Sequence, residues 1–302
     1  MTTTAPTTEP VSFASDSAEL RGELFLPAAG DGNGGLPAVV VTGTWTSVRQ
    51  QMADRYARQL AERGYAALSF DFTGFGGSDG EPRDVESPSQ KARDIHHAVG
   101  FLAEHTRIDP RRVGALGVCA SAGYTALNAI DDGRVRALAL IAPWLHDAAL
   151  VREMYGGEQG VAERIEAGRA ARERYQQTRA VDYVPAQSAT DPSAAMPMAV
   201  DFYENPERGA IDAWPNRFAV MAWPEWLAFD AIALASRLRT PTLIVHSEDG
   251  AIPDGARRFH AALGADKAIA WTAGTQFDFY DQPSTVADAA DRAAAHLGRY
   301  LQ

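Results

Sequence analysis

Basic residues are scarce in this 302-residue chain: 28 Lys and Arg stand against 39 Asp and Glu, a formal net charge of −11. A surface of that sign repels nucleic acid and anionic lipid, so neither is an expected partner. Cysteine is nearly absent too. The single Cys119 excludes an internal disulfide. A lone cysteine is usually a small buried hydrophobe, and only its position can argue for a reactive role. No apolar run reaches the length of a membrane span. The first ten residues, MTTTAPTTEP, have neither the basic nor the apolar region of a secretory signal. Residues 1–10 are expected to be a disordered tail, and the expected location is cytoplasmic. Metal-ligand spacings are missing, so no metal and no cofactor is expected.

What is present is a rhythm of short apolar runs and amphipathic stretches. Residues 11–15 and 19–26 alternate like the strands of an antiparallel hairpin. A Gly/Asp/Asn loop at 29–35 follows. Apolar runs at 36–42, 65–70, 112–118 and 135–142 read as buried strands. Between them, 48–63, 87–105 and 122–130 carry apolar residues at helical spacing. The rhythm resumes with strands at 241–246 and 267–272, a helix at 254–263 and a final helix carrying Val286, Ala290, Ala293, Leu297 and Tyr300 on one face. The predicted class is α/β, a mostly parallel sheet with helices on both faces, formed by residues 11–147 and 233–302. Residues 148–232 break the pattern with a charged helical stretch, a Pro/Asp/Ser/Met segment and Trp214, Trp223 and Trp226. An insertion there lies over the carboxyl ends of the strands, where open α/β sheets bind ligands, and is expected to form a cap. Its tryptophans serve either a substrate or the cap's own small core. No internal repeat or long linker is found.

The strand ending at Val118 runs into a helix through Gly117-Val-Cys119-Ala-Ser121. A nucleophile on a sharp strand-to-helix turn needs small residues two before and two after it, because these are pressed together. Gly117 and Ser121 fill those places around Cys119. A thiol at a helix N-terminus is expected to have a lowered pKa. The Ala120 amide is a candidate oxyanion donor. Ser121, followed by Ala122-Gly123, competes for the nucleophile role. It would lie inside the helix instead of at the turn, so Cys119 is preferred.

Three further loops fall in a matching order. Thr42-Gly-Thr-Trp-Thr-Ser47 follows the third strand, Asp71-Phe-Thr-Gly-Phe-Gly-Gly-Ser78 the fourth, and His246-Ser-Glu-Asp249-Gly-Ala-Ile-Pro253 the strand after the insertion. With the elbow, these resemble the α/β-hydrolase superfamily, and a cysteine at the elbow is similar to the dienelactone-hydrolase-like branch. The resemblance implies an oxyanion amide from Thr44 or Trp45, with Asp249 as the triad acid and Glu248 as its fallback. Trp144, after the sixth strand, is assigned to substrate binding. The glycine-rich loop could otherwise cradle phosphate, but it lacks Gly-Lys-Ser/Thr, and Asp79 and Glu81 would repel the anion.

One member of the expected triad is missing. Where the superfamily has histidine after the last strand, this chain has Gln276, in Ala273-Gly-Thr-Gln276-Phe-Asp278. An amide cannot accept a proton near neutral pH. His146 and His246, both at strand ends, are the candidates for a displaced base. Three readings follow, in this order. The first is acyl chemistry on an ester, lactone, thioester or related carbonyl of a mostly apolar small molecule, with Cys119 as nucleophile. The second is a non-hydrolytic lyase, cyclase or isomerase using Gln276 as a polar group. The third is a small-molecule-binding protein without turnover. A homodimer is left open.

Overall fold

The computed structural model describes residues 5–28 and 34–302. Part of the loop expected at 29–35 and the first four residues lie outside that range. The chain opens with β1 (Thr7–Ser15) and β2 (Ala18–Leu26), an antiparallel hairpin. Residues 7–10 are therefore strand, which corrects the expected tail. The exposed Thr and Glu side chains hid an edge strand that backbone pairing with β2 holds in register.

Next come β3 (Leu36–Thr42), α1 (Ala53–Glu62), β4 (Ala66–Phe70), α2 (Pro88–Glu104), β5 (Ile108–Val118), α3 (Ser121–Asp131) and β6 (Val135–Ile141). The helix expected over 48–63 is divided. A 3-10 turn at Arg49–Gln51 precedes α1, with Met52 between them outside helical geometry. The start of α2 has local reasons: the Ser87 side chain accepts from the Gln90 amide at 3.2 Å, and Pro88 occupies the first turn.

After the insertion the core resumes with β9 (Thr242–His246), α9 (Pro253–Ala262), β10 (Lys267–Trp271), α10 (Asp278–Asp281) and α11 (Pro283–Tyr300). The insertion itself holds α4 (Ala148–Met154), α5 (Gly157–Thr178), α6 (Asp201–Glu204), α7 (Trp223–Ala228) and α8 (Ala231–Leu234), with a two-stranded ribbon of β7 (Tyr183–Pro185) and β8 (Arg217–Ala219).

The main sheet has the order β1-β2-β4-β3-β5-β6-β9-β10, antiparallel at β1/β2 and β2/β4 and parallel elsewhere. Strand β4 is buried throughout, as is β9, which is why both read as unbroken apolar runs. Helices α1 and α11 pack together against the sheet, as do α2 and α3. Among the described residues no helix is long and apolar enough to cross a membrane.

Candidate active site

The carboxyl end of β5 turns sharply into α3 at Cys119, whose φ of +56° lies in the left-handed region. A β-carbon there is strained, so the turn is held from outside. The Cys119 amide donates to the Ile141 carbonyl at 3.0 Å, and the Cys119 carbonyl accepts from the Trp144 amide at 3.0 Å. Both bonds anchor the turn to the end of β6. The steric need at Gly117 is explicit: a β-carbon would sit 2.7 Å from the Ser121 carbonyl oxygen and 2.7 Å from Thr125 Oγ1. Ser121 opens α3, fully buried, and its hydroxyl has no partner among the described residues. Of the two candidates, Cys119 holds the turn and lines a cavity, and Ser121 does neither.

Four groups stand near the sulfur and favour its thiolate: the Thr44 and Tyr280 hydroxyls, the Ala120 amide and the Gln276 side chain. Burial pushes the thiol pKa up, and these four neighbours oppose the rise without cancelling it. The lowered pKa expected from the helix terminus is therefore overturned. Among the described residues no cation or imidazole bonds the sulfur, and burial outweighs the helix terminus. Gln276 is itself fully engaged. Its Nε2 donates to the Ala142 carbonyl at 2.8 Å and to Tyr280 Oη at 3.3 Å, and its Oε1 accepts from the Ala251 amide at 2.9 Å.

Neither histidine candidate reaches this cluster. His146 Nδ1 accepts from the Trp144 indole at 2.9 Å, and Nε2 meets the Trp226 carbonyl at 3.2 Å. His246 Nε2 meets the Ala251 carbonyl at 3.0 Å, and its Nδ1 is buried without a partner among the described residues. Burial holds both rings down at about 4, and neither lines the cavity. Each packs against an aromatic neighbour, Trp226 for His146 and Trp271 for His246. The strand ends do point toward the elbow, but packing turns these rings away from it. Asp249 lies exposed at the cavity lining and, among the described residues, bonds nothing. The acceptor it would offer a triad histidine is not used by Gln276, which takes the Ala251 amide instead. Glu248 is exposed and paired with Arg257.

The cavity has a volume of about 660 Å³ and reaches from Cys119, Ala120 and Gln276 to the inserted segment. Its walls are mainly apolar and aromatic: Trp45, Trp144, Met196, Tyr203, Trp226 and Phe277 are among them. Thr44 and Trp45 stand over the elbow, and among the described residues neither backbone amide has an acceptor. The three tryptophans of the insertion divide between the two expected roles. Trp226 lines the cavity, whereas Trp214 and Trp223 are buried in packing. Sequence reasoning missed Tyr280, Tyr155, Arg164 and Tyr203. A signal existed for Tyr280 alone, which lies four residues beyond Gln276 and so returns to the same side of a helical turn.

The loop carrying Thr44 and Trp45 is pinned from below. The fully buried Glu86 accepts from the Thr46 amide at 2.7 Å, Lys91 Nζ at 2.8 Å and Tyr124 Oη at 2.6 Å. From above, the Trp214 indole donates to the Thr46 carbonyl at 2.9 Å. Thr46 has φ +55°, so this loop is held in a strained form by both contacts. The glycine-rich loop after β4 is filled by its own aspartate. Asp71 accepts from the Arg49 amide at 2.8 Å and the Gly77 amide at 3.0 Å, which leaves no cradle for phosphate.

Comparison with known proteins agrees with this architecture. The family described as serine aminopeptidase, S33, matches residues 39–277. YcjY, an uncharacterized protein of Escherichia coli K12, is 28% identical over 281 residues, covering 89% of this chain and 90% of that one. Thiohydrolase aneE of Aspergillus aculeatus is 35% identical over 140 residues, 46% of this chain and 45% of its own. Polyketide transferase claH of Penicillium crustosum is 36% identical over 142 residues, again 46% and 45%. These last two matches span less than half of either chain. The solved structure of hypothetical protein PA2218 from Pseudomonas aeruginosa superposes with a TM-score of 0.83 at 23% identity, covering 98% of this chain and 94% of that one. The α/β hydrolase GrgF from Penicillium superposes at 0.78 and 21% identity, covering 98% and 99%. With the parallel sheet, the strand-to-helix turn and a match across most of its length, this chain belongs to the serine aminopeptidase S33 family of α/β-hydrolase-fold proteins.

Proposed function

We propose that this protein is an acyl-transfer enzyme that takes a mostly apolar acyl group, foremost from a thioester, onto Cys119. One observation carries the reading: the only cysteine of the sequence sits on the elbow, at an apolar cavity, beside hydroxyl and amide groups and, among the described residues, with no histidine in the cavity lining. A thioester suits a site with no base. Cys119 gives its proton to solvent and attacks the carbonyl carbon as thiolate, a new C–S bond forms, and the C–S bond to the leaving group breaks to release a second thiolate, which takes a proton back from solvent. One thiolate replaces another, so the leaving group needs no proton from a histidine, as an alkoxide would. The amides of Ala120 and of Thr44 or Trp45 would receive the developing oxyanion.

Release of the acyl group then depends on the second nucleophile. Gln276 cannot draw a proton from water, so hydrolysis is slow, and a nucleophile that needs no such help, such as an amine or another thiol, is favoured. The names of two relatives, a thiohydrolase and a polyketide transferase, are compatible with this chemistry. The test is intact-mass spectrometry of the protein with the decanoyl thioester of N-acetylcysteamine. An acyl adduct is expected on the natural chain and none on Cys119→Ala. If no thioester gives an adduct, the proposal fails.

A second reading, non-covalent lyase, cyclase or isomerase chemistry, is favoured by the raised thiol pKa and by the fixed Gln276 amide. It predicts that Cys119→Ala keeps turnover in whatever conversion the natural chain performs.

A further inference from the structure

Arg164, on α5, is the one cation among the described residues that line the cavity. Its guanidinium carbon lies 5.5 Å from the ring centroid of Tyr155 and 5.5 Å from that of Trp223. Nη1 donates to the Tyr155 carbonyl at 3.1 Å and the Gly160 carbonyl at 3.0 Å. Gly160 makes this possible: a β-carbon there would fall 2.1 Å from the Tyr155 oxygen. Tyr155 is fixed in turn, its hydroxyl accepting from the Trp226 indole at 2.8 Å. The guanidinium is thus locked by rings and carbonyls through a single nitrogen.

Its remaining edge, Nε and Nη2, meets no acceptor among the described residues, and Arg164 has no ion-pair partner there. Most of the other cations with a described side-chain bond pair with a carboxylate, so this is a departure. The cavity's own carboxylate, Asp249, belongs to the loop that Gln276 holds beside Cys119. A free side edge of a guanidinium presents two parallel N–H groups, which match the two oxygens of a carboxylate. Flanking rings thin the water around it and make such a pair stronger than on an open surface.

We infer that the acyl substrate carries a carboxylate remote from its reacting carbonyl, received by the free edge of Arg164 while the apolar walls hold the chain between. The inference rests on the reading of Cys119 as the acylated group, and two independent measurements separate them. The first is calorimetric binding of decanoate, decanol and decyl phosphate to Cys119→Ala protein. Decanoate binds about tenfold or more tightly than decanol, the preference falls to about one when Arg164→Met is added, and Arg164→Lys keeps part of it. A preference that persists in Arg164→Met, or one for decyl phosphate over decanoate, overturns the assignment. The second is the rate of adduct formation by the natural chain with decanoyl and 9-carboxynonanoyl thioesters. The carboxylated thioester reacts about tenfold faster or more, and Arg164→Met reduces that ratio to about one. If neither thioester acylates Cys119 but decanoate binding needs Arg164, the nucleophile reading fails and the carboxylate site stands. If both acylate equally and decanoate binds no better than decanol, the carboxylate site fails alone.

Discussion

At the scale of single residues, the proposed site turns on a sulfur with hydroxyls and amides around it and, among the described residues, no histidine in the cavity lining. Burial raises the Cys119 pKa, so its thiolate fraction grows with pH across and beyond the neutral range. Alkylation of Cys119 by iodoacetamide should therefore accelerate by about tenfold per pH unit from 7 to 9. A rate already level at pH 7 would show a low-pKa thiol and contradict this. Gln276→His should raise hydrolysis of p-nitrophenyl esters by roughly tenfold or more. The full general-base factor of about 10²–10⁴ is not expected, because Asp249 is exposed and not placed to orient the ring. Cys119 was legible in the sequence because the steric rule of the elbow is local. The fate of His146 and His246 was not. Which way a ring turns depends on indoles and carbonyls far along the chain, such as Trp226 beside His146.

At the scale of elements, two devices hold the site's geometry. The first is the close approach of β5 and α3. Gly117→Ala forces a β-carbon against the Ser121 backbone, and a loss of about 1–3 kcal/mol in urea unfolding is expected. An unchanged midpoint would mean that α3 shifts freely. The second is Glu86, which joins the Thr46 loop, α2 through Lys91 and α3 through Tyr124. Glu86→Ala leaves Lys91 buried and uncompensated, so a loss of about 3–5 kcal/mol is expected by the same measurement. Nothing in the sequence singled out Glu86, since a buried carboxylate looks like any surface glutamate until its partners are known. Elements with strong periodicity were legible, among them α2, α5, β4 and β9. Short ones governed by tertiary contact, such as α4 and α10, and the polar start of β1 were not.

At the scale of the whole molecule, the two buried histidines that stand outside the cavity lining couple stability to pH. Both are held at about 4 when folded, against an ordinary 6.5. Between those values the unfolded chain binds the protons and the folded one does not. Their contribution is full above pH 6.5 and is lost as pH falls toward 4, on the order of 3 kcal/mol each at most. The fall in guanidinium midpoint between pH 7.5 and 4.5 should shrink in His146→Gln. An equal fall in both proteins would remove His146 from the account.

The sequence by itself determined the α/β class, the approximate order of the elements and the position of Cys119. These rest on hydrophobic period, turn chemistry and local sterics, which act over a few residues. Only the tertiary structure decided what Cys119 meets. Thr44 comes from the loop after β3 and the neighbouring pair Gln276 and Tyr280 from the far end of the chain, and burial by the fold, not the helix terminus, sets the state of the thiol. The elbow is a local rule, but the chemistry around it is made by long-range packing, which no spacing along the chain records.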